Sequence, residues 1–146
     1  MEFAIKVFTP GHHELIYQAF EKAFARYEAP ILLHMETQLK AWENEGVNWD
    51  LSYGAYYGEE LVGFILHGFK AERLKNVVTG VLPEFRGQGL LKKMYLDIMP
   101  KLKDQGFNRI YLNVLTQNVS AIAAYTKVGF RITQRFDNEF EMMKYI

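Results

Sequence analysis

From Val78 to Leu91 the chain reads Val-Thr-Gly-Val-Leu-Pro-Glu-Phe-Arg-Gly-Gln-Gly-Leu-Leu, a strand-like run that passes through a proline and two glycines into a helical pattern. A turn of this kind can hold a phosphate. A helix N-terminus offers backbone N–H groups with no intrahelical partner together with the positive end of the macrodipole, and glycines let an anion approach without a Cβ in the way. Arg86, Lys92 and Lys93 add positive charge at the same end. Two phosphate-binding signatures do not fit. A nucleoside triphosphate loop ends in Gly-Lys-Ser/Thr, whereas Leu90 and Leu91 follow Gly89; a dinucleotide fingerprint needs a third glycine where Lys92 stands. A plain helix-entry turn would use the same glycines, so this segment alone leaves anion binding and a structural turn both open.

The flanking elements follow from periodicity. Phe3, Ile5 and Val7 alternate as a strand, broken at Thr9-Pro10-Gly11, and Leu15, Ile16, Ala19, Phe20, Ala23, Phe24 and Tyr27 form one helical stripe. A second, shorter helix is predicted from Pro30 through Leu32, Met35, Leu39 and Trp42 to Asn44 and Gly46. The alternation from Leu51 to Tyr57, the turn Gly58-Glu59-Glu60 and the run Leu61–Gly68 predict a hairpin, followed by a strand over about 73–82 that Pro83 ends. Leu90, Leu91, Met94, Tyr95, Ile98 and Leu102 predict an amphipathic helix that Pro100 should kink and Gly106 should close. Ile110, Leu112 and Val114 predict a strand, Asn118 or Ser120 the cap of a helix ending at Gly129, and 130–135 and 139–145 two closing strands around Asp137-Asn138. Strands and helices interleave, with hairpins in the middle and at the end, which makes a mixed sheet covered by helices.

At 146 residues, one core is more economical than two. Hydrophobic residues at 49% and charged residues at 23% fit a folded globular chain rather than a disordered one. Seventeen Lys and Arg balance seventeen Asp and Glu, so the global positive field of a nucleic-acid binder is missing. There is no cysteine, which removes disulfides, thiolate metal sites and a cysteine nucleophile. The apolar runs are short and interrupted by charge, so the expectation is a soluble, cytoplasmic protein with no membrane or nucleic-acid partner and no metal; a homodimer is compatible with the sequence.

A second block lies downstream: Asn113-Val114-Leu115-Thr116-Gln117-Asn118, then Ala121-Ile122 and Tyr125-x-Lys127-x-Gly129-Phe130. Pro83, Arg86-Gly87-Gln88-Gly89 and this block, in that order and separation, resemble the acyl-CoA-binding motif of the GNAT family of N-acetyltransferases, whose pattern is Arg/Gln-x-x-Gly-x-Gly/Ala after a strand. Close resemblance covers Val77 to Phe130, and the order of elements extends it to the whole chain. The resemblance implies an α/β (α+β) acyl-CoA N-acyltransferase fold: a mixed, largely antiparallel central sheet of about seven strands flanked by about four helices, as one domain over 1–146. It implies transfer of the acetyl group of acetyl-CoA to a primary amine of a small molecule or peptide, by direct attack through a tetrahedral intermediate. An acyl-CoA-binding regulatory module without transferase activity is the alternative, and a plain interaction domain with no affinity for CoA is a third reading.

Residue by residue, the resemblance implies that the backbone of Thr79, Gly80 and Val81 pairs with the pantetheine arm like an added strand, which requires a splayed sheet; their side chains matter less. Amides of Gly87, Gln88, Gly89, Leu90, Leu91 and Lys92, with Arg86, would hold the pyrophosphate. Asn118 would contact pantetheine, and Tyr125 would stand beside the sulfur as the catalytic residue. Spaced three residues after Ile122, Tyr125 also reads as a core aromatic on a helix face. Two positions depart from the family pattern: Leu91 stands where glycine or alanine is usual, and Asn113 where some members carry a glutamate base. The base, direct or through water, is then sought among Glu72 on the strand before the motif, His67 at the hairpin end, and Glu28, Glu36 or His34 near the second helix. Tyr27, Glu28, His34, Met35, Tyr53 and Tyr56 are expected near the acceptor, where acidic and aromatic groups would suit a cationic amine. Each of them also reads as an ordinary surface or core residue.

Overall fold

The computed structural model describes residues 2–8, 10–24 and 35–146. Among these residues seven strands are present: β1 (Ala4–Val7), β2 (Tyr53–Tyr57), β3 (Glu60–Lys70), β4 (Arg73–Val81), β5 (Arg109–Leu115), β6 (Arg131–Arg135) and β7 (Glu139–Tyr145). Four α-helices accompany them: α1 (His13–Phe24), α2 (Met35–Asn44), α3 (Leu90–Asp104) and α4 (Val119–Val128). The end of the first predicted helix, at Tyr27, and the start of the second, at Pro30 and Leu32, lie outside the described residues. The strand expected from Leu51 begins at Tyr53 instead. Trp49–Leu51 forms a 3₁₀ turn, and the Asn48 side chain caps it by accepting the Asp50 N–H at 2.9 Å.

The strands form one sheet in the order β1-β2-β3-β4-β5-β7-β6. All neighbours are antiparallel except β4 and β5, which are parallel and register only at Lys75 and Tyr111. Beyond that pair the ladder does not continue, so β4 from Asn76 to Val81 has no strand partner on its β5 side. The opposite edge of the same segment is fully paired: Gly63, Phe64 and Ile65 of β3 face Val81, Gly80 and Thr79.

β3 is apolar along almost its whole length because helices cover both faces of the sheet. One core lies under α3, where Leu90, Met94, Tyr95, Ile98 and Leu102 pack on Val62, Ile65, Leu112 and Met142. The other lies under α1 and α2, where Ile16, Ala19, Phe20 and Trp42 pack on Phe8, Leu61, Phe64 and Leu66. Burial of this kind is worth roughly 1.5–3 kcal/mol for each large apolar side chain, which is what fixes the sheet between its two helical layers. A register shift in the β3–β4 ladder places His67 opposite Asn76 and Leu66 opposite Val78, leaving Val77 as the extra residue of a bulge. Asn76 and Thr79, three apart in sequence, are thereby brought onto one face of the sheet.

α3 runs through Pro100, which denies an N–H to the carbonyl of the solvent-exposed Leu96, and ends at Asp104; Gln105 is the cap, and Gly106 beyond it, with φ of 97° and its N–H on the Lys103 carbonyl, completes the turn. Asn118, rather than Ser120, is the cap of α4, its side chain accepting the Ala121 N–H. Gly129 closes that helix at φ 114°, donating to the carbonyls of Tyr125 and Thr126.

Candidate functional site

The parting of β4 from β5 opens a cleft of about 1250 Å³. Three elements converge on it: the unpaired edge of β4, the turn leading into α3, and α4. In the turn, Gly87 and Gly89 hold φ of 76° and 69°, left-handed values that cost other residues about 1–2 kcal/mol. A Cβ at either position would meet nothing within 4 Å, so these glycines answer to backbone conformation and leave open space in front of the turn. Gly89 caps α3 without a side chain, and the first helical bond runs from the Lys93 N–H to the Gly89 carbonyl at 3.1 Å. The N–H groups of Leu90, Leu91 and Lys92 are therefore the orphan donors of this helix.

The residues singled out from sequence converge on the cleft. Thr79, Gly80, Val81, Arg86, Gly87, Gly89, Leu90, Leu91, Lys92, Asn118 and Tyr125 all line it. Gln88 does not; its amide turns back to the Glu84 carbonyl at 3.3 Å. Arg86 lines the wall but spends two of its donors on the protein, Nε on the Val81 carbonyl at 3.0 Å and Nη2 on the Ala23 carbonyl. It ties the turn to the ends of β4 and α1, and what it offers a ligand is chiefly its charge. Lys93 faces away, its Nζ 5.4 Å from the centre of the Phe3 ring. Leu91 is half-buried against the core under α3 while still edging the cleft. Lys22 and Ala23 of α1 also contribute to the lining and were not expected there. No spacing rule links α1 to a turn some sixty residues away; the Arg86–Ala23 bond does.

Gly80 is needed for another reason. A Cβ on it would run into the ring of Phe64, which is only 1% exposed, so a glycine lets β4 lie flat against the second core. Thr79 has the side chain that matters. Its hydroxyl accepts a hydrogen bond from Asn76 Nδ2 at 2.7 Å. Tyr125 stands on α4, half-buried, its ring edge-on to Phe130 with centroids 5.7 Å apart. Burial pushes the phenol pKa above its ordinary value, and the Thr79 hydroxyl opposes part of that rise.

Behind Thr79 the polar contacts continue inward. Asn76 Nδ2 also meets the Tyr95 hydroxyl at 2.8 Å, that hydroxyl meets His67 Nε2 at 3.0 Å, and His67 Nδ1 meets the Leu51 carbonyl at 2.6 Å. His67 has no exposed surface; burial lowers its pKa to about 4, only partly countered by the Leu51 carbonyl. It is a neutral core histidine in the middle of β3 and not a base at a hairpin end. Glu72 is likewise displaced from its expected strand. With φ of 62°, next to Ala71 at 52°, it forms the tip of the β3–β4 turn. Neither His67 nor Glu72 lines the cleft. Tyr53 is 3% exposed in the core under α3, and Tyr56 packs on the second core with Lys6 over its ring, so neither lines the cleft. Glu36 is exposed in the first turn of α2. Tyr27, Glu28 and His34 lie outside the described residues, and Met35 is described only as the start of α2. Asn113 is exposed on β5 opposite Glu141, whose carboxylate is taken up by Arg73 at 2.8 Å and the Thr133 hydroxyl at 2.7 Å.

A sheet opened between two parallel strands, beside a glycine turn at a helix N-terminus and facing a helix-borne tyrosine, is the arrangement of an acyl-CoA N-acyltransferase fold. The sequence profile of the Acetyltransferase (GNAT) family matches residues 13–130, and the chain belongs to that family. The PaiA N-acetyltransferase of Thermoplasma acidophilum, solved in complex with coenzyme A, superposes with a TM-score of 0.79 at 20% identity, covering all of both chains. The ribosomal-protein-S18-alanine N-acetyltransferase of Escherichia coli gives 0.77 at 16% identity over 99% of this chain and 94% of its own. Among sequences, the spermine/spermidine N(1)-acetyltransferase of Bacillus subtilis is 30% identical over 93 residues, 58% of this chain and 61% of that protein. The mycothiol acetyltransferase of Corynebacterium efficiens is 34% identical over 79 residues, 53% of this chain and 27% of that protein. The match thus spans less than two thirds of each of these two relatives. Among the described residues no helix is long and apolar enough to cross a membrane.

Proposed function

We propose that this chain is an acetyl-CoA-dependent N-acetyltransferase acting on a primary amine of a small molecule or peptide, as a single domain over residues 1–146. One observation carries the reading: the unpaired β4 edge at Thr79–Val81, the orphan amides at the start of α3 and the Tyr125 phenol all open onto the same cleft. The three match the parts of the donor in order. The β4 edge has backbone groups without a strand partner to pair with the amides of pantetheine, the Val81 carbonyl being shared with Arg86 Nε; the amides of Leu90, Leu91 and Lys92, with the Lys92 and Arg86 charges, suit a pyrophosphate. The Asn118 Oδ1 is occupied as the α4 cap, so a ligand there would meet its Nδ2 donor.

The chemistry needs no covalent enzyme intermediate. The amine nitrogen bonds to the thioester carbon, the carbonyl electron pair moves to oxygen, and on its return the C–S bond breaks with its pair going to sulfur. The proton lost by nitrogen passes to solvent or a base, and the sulfur receives a hydrogen bond or a proton from Tyr125. A lysine-like amine of pKa about 10.4 is neutral roughly once in 10³ at pH 7, a cost of about 4–5 kcal/mol, whereas an α-amino group near 8 costs about 1. The acceptor therefore sets how much base is required. A free phenol is a weaker acid than a thiol by roughly 2 kcal/mol, and burial of Tyr125 widens that gap, so stabilisation of the departing sulfur by a hydrogen bond is its main contribution.

The deciding experiment is a thiol-release assay with acetyl-CoA and a panel containing spermidine, an amino sugar, and peptides beginning with alanine or carrying an internal lysine. Amine-dependent release of CoA is expected. Retention of acetyl-CoA with no release for any amine would point to a binding module, and no retention at all would remove both readings.

A further inference from the structure

The unpaired edge of β4 begins where a bulge bends the strand. Lys75 is the last residue of β4 in register with β5, and the bulge at Val77 follows directly beyond Asn76. A bulge bends its strand and increases the local twist, so one at this point turns β4 away from β5. What holds the bulge is a buried amide. Asn76 Nδ2 meets Thr79 Oγ1 at 2.7 Å and the Tyr95 hydroxyl at 2.8 Å. In a regular strand residues three apart point to opposite faces, so the bond between Asn76 and Thr79 exists only while the strand is bulged between them.

That amide is in turn fixed from the core, and the direction of each bond can be read from the far end. The Leu51 carbonyl only accepts, so His67 Nδ1 donates in their 2.6 Å bond. A neutral imidazole then has a bare Nε2, which accepts from the Tyr95 hydroxyl at 3.0 Å. With its single proton spent, the Tyr95 oxygen accepts from Asn76 Nδ2, whose second proton goes to Thr79 Oγ1. Asn76, Tyr95 and His67 are all buried, and the His67 main chain is held as well, its N–H donating to the Ser52 hydroxyl at 3.0 Å. The bonds thus tie the bulge to β3, to α3 and to the turn before β2. None of these partners lies on β5.

We propose that Asn76, with Tyr95 and His67 behind it, is a positioning residue for the acyl donor: by holding β4 bulged, it keeps the edge at Thr79–Val81 turned out of the β5 ladder and available to pantetheine before the donor arrives. This rests on the reading of that edge as the donor's site. Asn76, Tyr95 and His67 do not line the cleft, so their effect on the donor passes through the β4 backbone. An apolar residue in place of Asn76 could pack under α3 but could not hold Thr79, which is why a polar group stands at this depth.

The test is Tyr95→Phe, which removes the hydroxyl bonded by both His67 and Asn76 and leaves the cleft lining in place. Calorimetric affinity for acetyl-CoA should fall about tenfold, the fold-change of roughly one hydrogen bond. KM for acetyl-CoA should rise with it while kcat stays at the wild-type value. Ile98→Val and Ile98→Ala, one turn along α3 in the same core and outside the cleft, are controls that bracket its urea midpoint; both should bind acetyl-CoA as wild type does. Should Tyr95→Phe fail to fold, Thr79→Val and Thr79→Ser decide: valine should weaken binding by a similar factor, and serine, which keeps the acceptor, should recover most of it. Wild-type affinity in Tyr95→Phe or in Thr79→Val overturns the proposal, as does an equal loss in the Ile98 controls or a loss confined to kcat. Failure of the wild-type protein to retain acetyl-CoA would instead remove the donor site itself, and this proposal with it.

Discussion

Replacing Tyr125 by phenylalanine removes one oxygen from the cleft and little else. The ring keeps its edge-on contact with Phe130 and its packing on the core, and Thr79 keeps its bond from Asn76. The stability cost is then no more than about that of one neutral hydrogen bond, at most roughly 1.5 kcal/mol. The cost in turnover is larger, because the sulfur gains negative charge as the C–S bond breaks. A hydrogen bond to a charged partner is worth about 1.5–3 kcal/mol, which corresponds to roughly a 10- to 150-fold loss in kcat. Outright proton transfer would place the loss higher, at about 10²–10⁴-fold, but a phenol held above its ordinary pKa by burial favours the lower range. The assay is CoA release followed with a chromogenic disulfide, kcat and KM for acetyl-CoA being measured on variant and wild type after matching urea unfolding curves. The expected pattern is a fall in kcat with KM changed by less than about twofold, the mark of an interaction made only in the transition state. A folded variant with wild-type kcat would show that the hydroxyl only serves packing. An equal loss confined to KM would show that it anchors the donor.

Gly89→Glu puts a carboxylate at the mouth of the α3 turn and forces a side chain into φ of 69°; calorimetric titration with acetyl-CoA should lose its signal, whereas unchanged affinity would displace the phosphate from this turn. Gly80→Ala drives a methyl into the Phe64 ring and should destabilise the protein by about 1–3 kcal/mol in urea unfolding; wild-type stability would mean that the ring yields at no cost. His67 should steepen the acid sensitivity of folding. Its pKa is about 4 when folded against an ordinary 6.5, so the unfolded chain takes the proton first. The neutral ring's full contribution is present above pH 6.5 and is lost as pH falls to about 4, amounting to about 3 kcal/mol. Urea unfolding at both ends of that window, on wild type and His67→Gln, should show the extra loss in wild type alone; parallel losses would mean that His67 titrates normally.

What could be read from sequence was what local chemistry determines. The Gly58 turn, the paired glycines before Leu90, the Asn118 cap and the Gly106 and Gly129 stops each have a short-range cause, and the elements around them stand where alternation and helical spacing placed them. The lining of the cleft by Arg86, Gly89, Asn118 and Tyr125 was reached through the family resemblance that these residues carry, since their spacing alone left a structural turn and a core aromatic open. Three features were not, and each depends on partners distant in sequence. The bulge at Val77 reverses the facing of Thr79 relative to Asn76, so a side chain that the family resemblance treats as secondary meets the Asn76 amide at 2.7 Å. His67 looks like a surface histidine near a turn, but β3 extends to Lys70 and is covered on both faces. The β3–β4 turn at Ala71-Glu72 contains no glycine, asparagine or proline, so nothing in its residue types announced that Glu72 leaves the strand.

Amide hydrogen exchange with and without saturating acetyl-CoA tests the central placement most directly, since it reads the backbone groups themselves. Added protection is expected at Thr79–Val81 and over Gly89–Lys92, with the amides at the far end of β4, about Leu74, unaffected. Unchanged exchange in both segments, under conditions where acetyl-CoA is bound, would contradict it by placing the donor elsewhere on the protein.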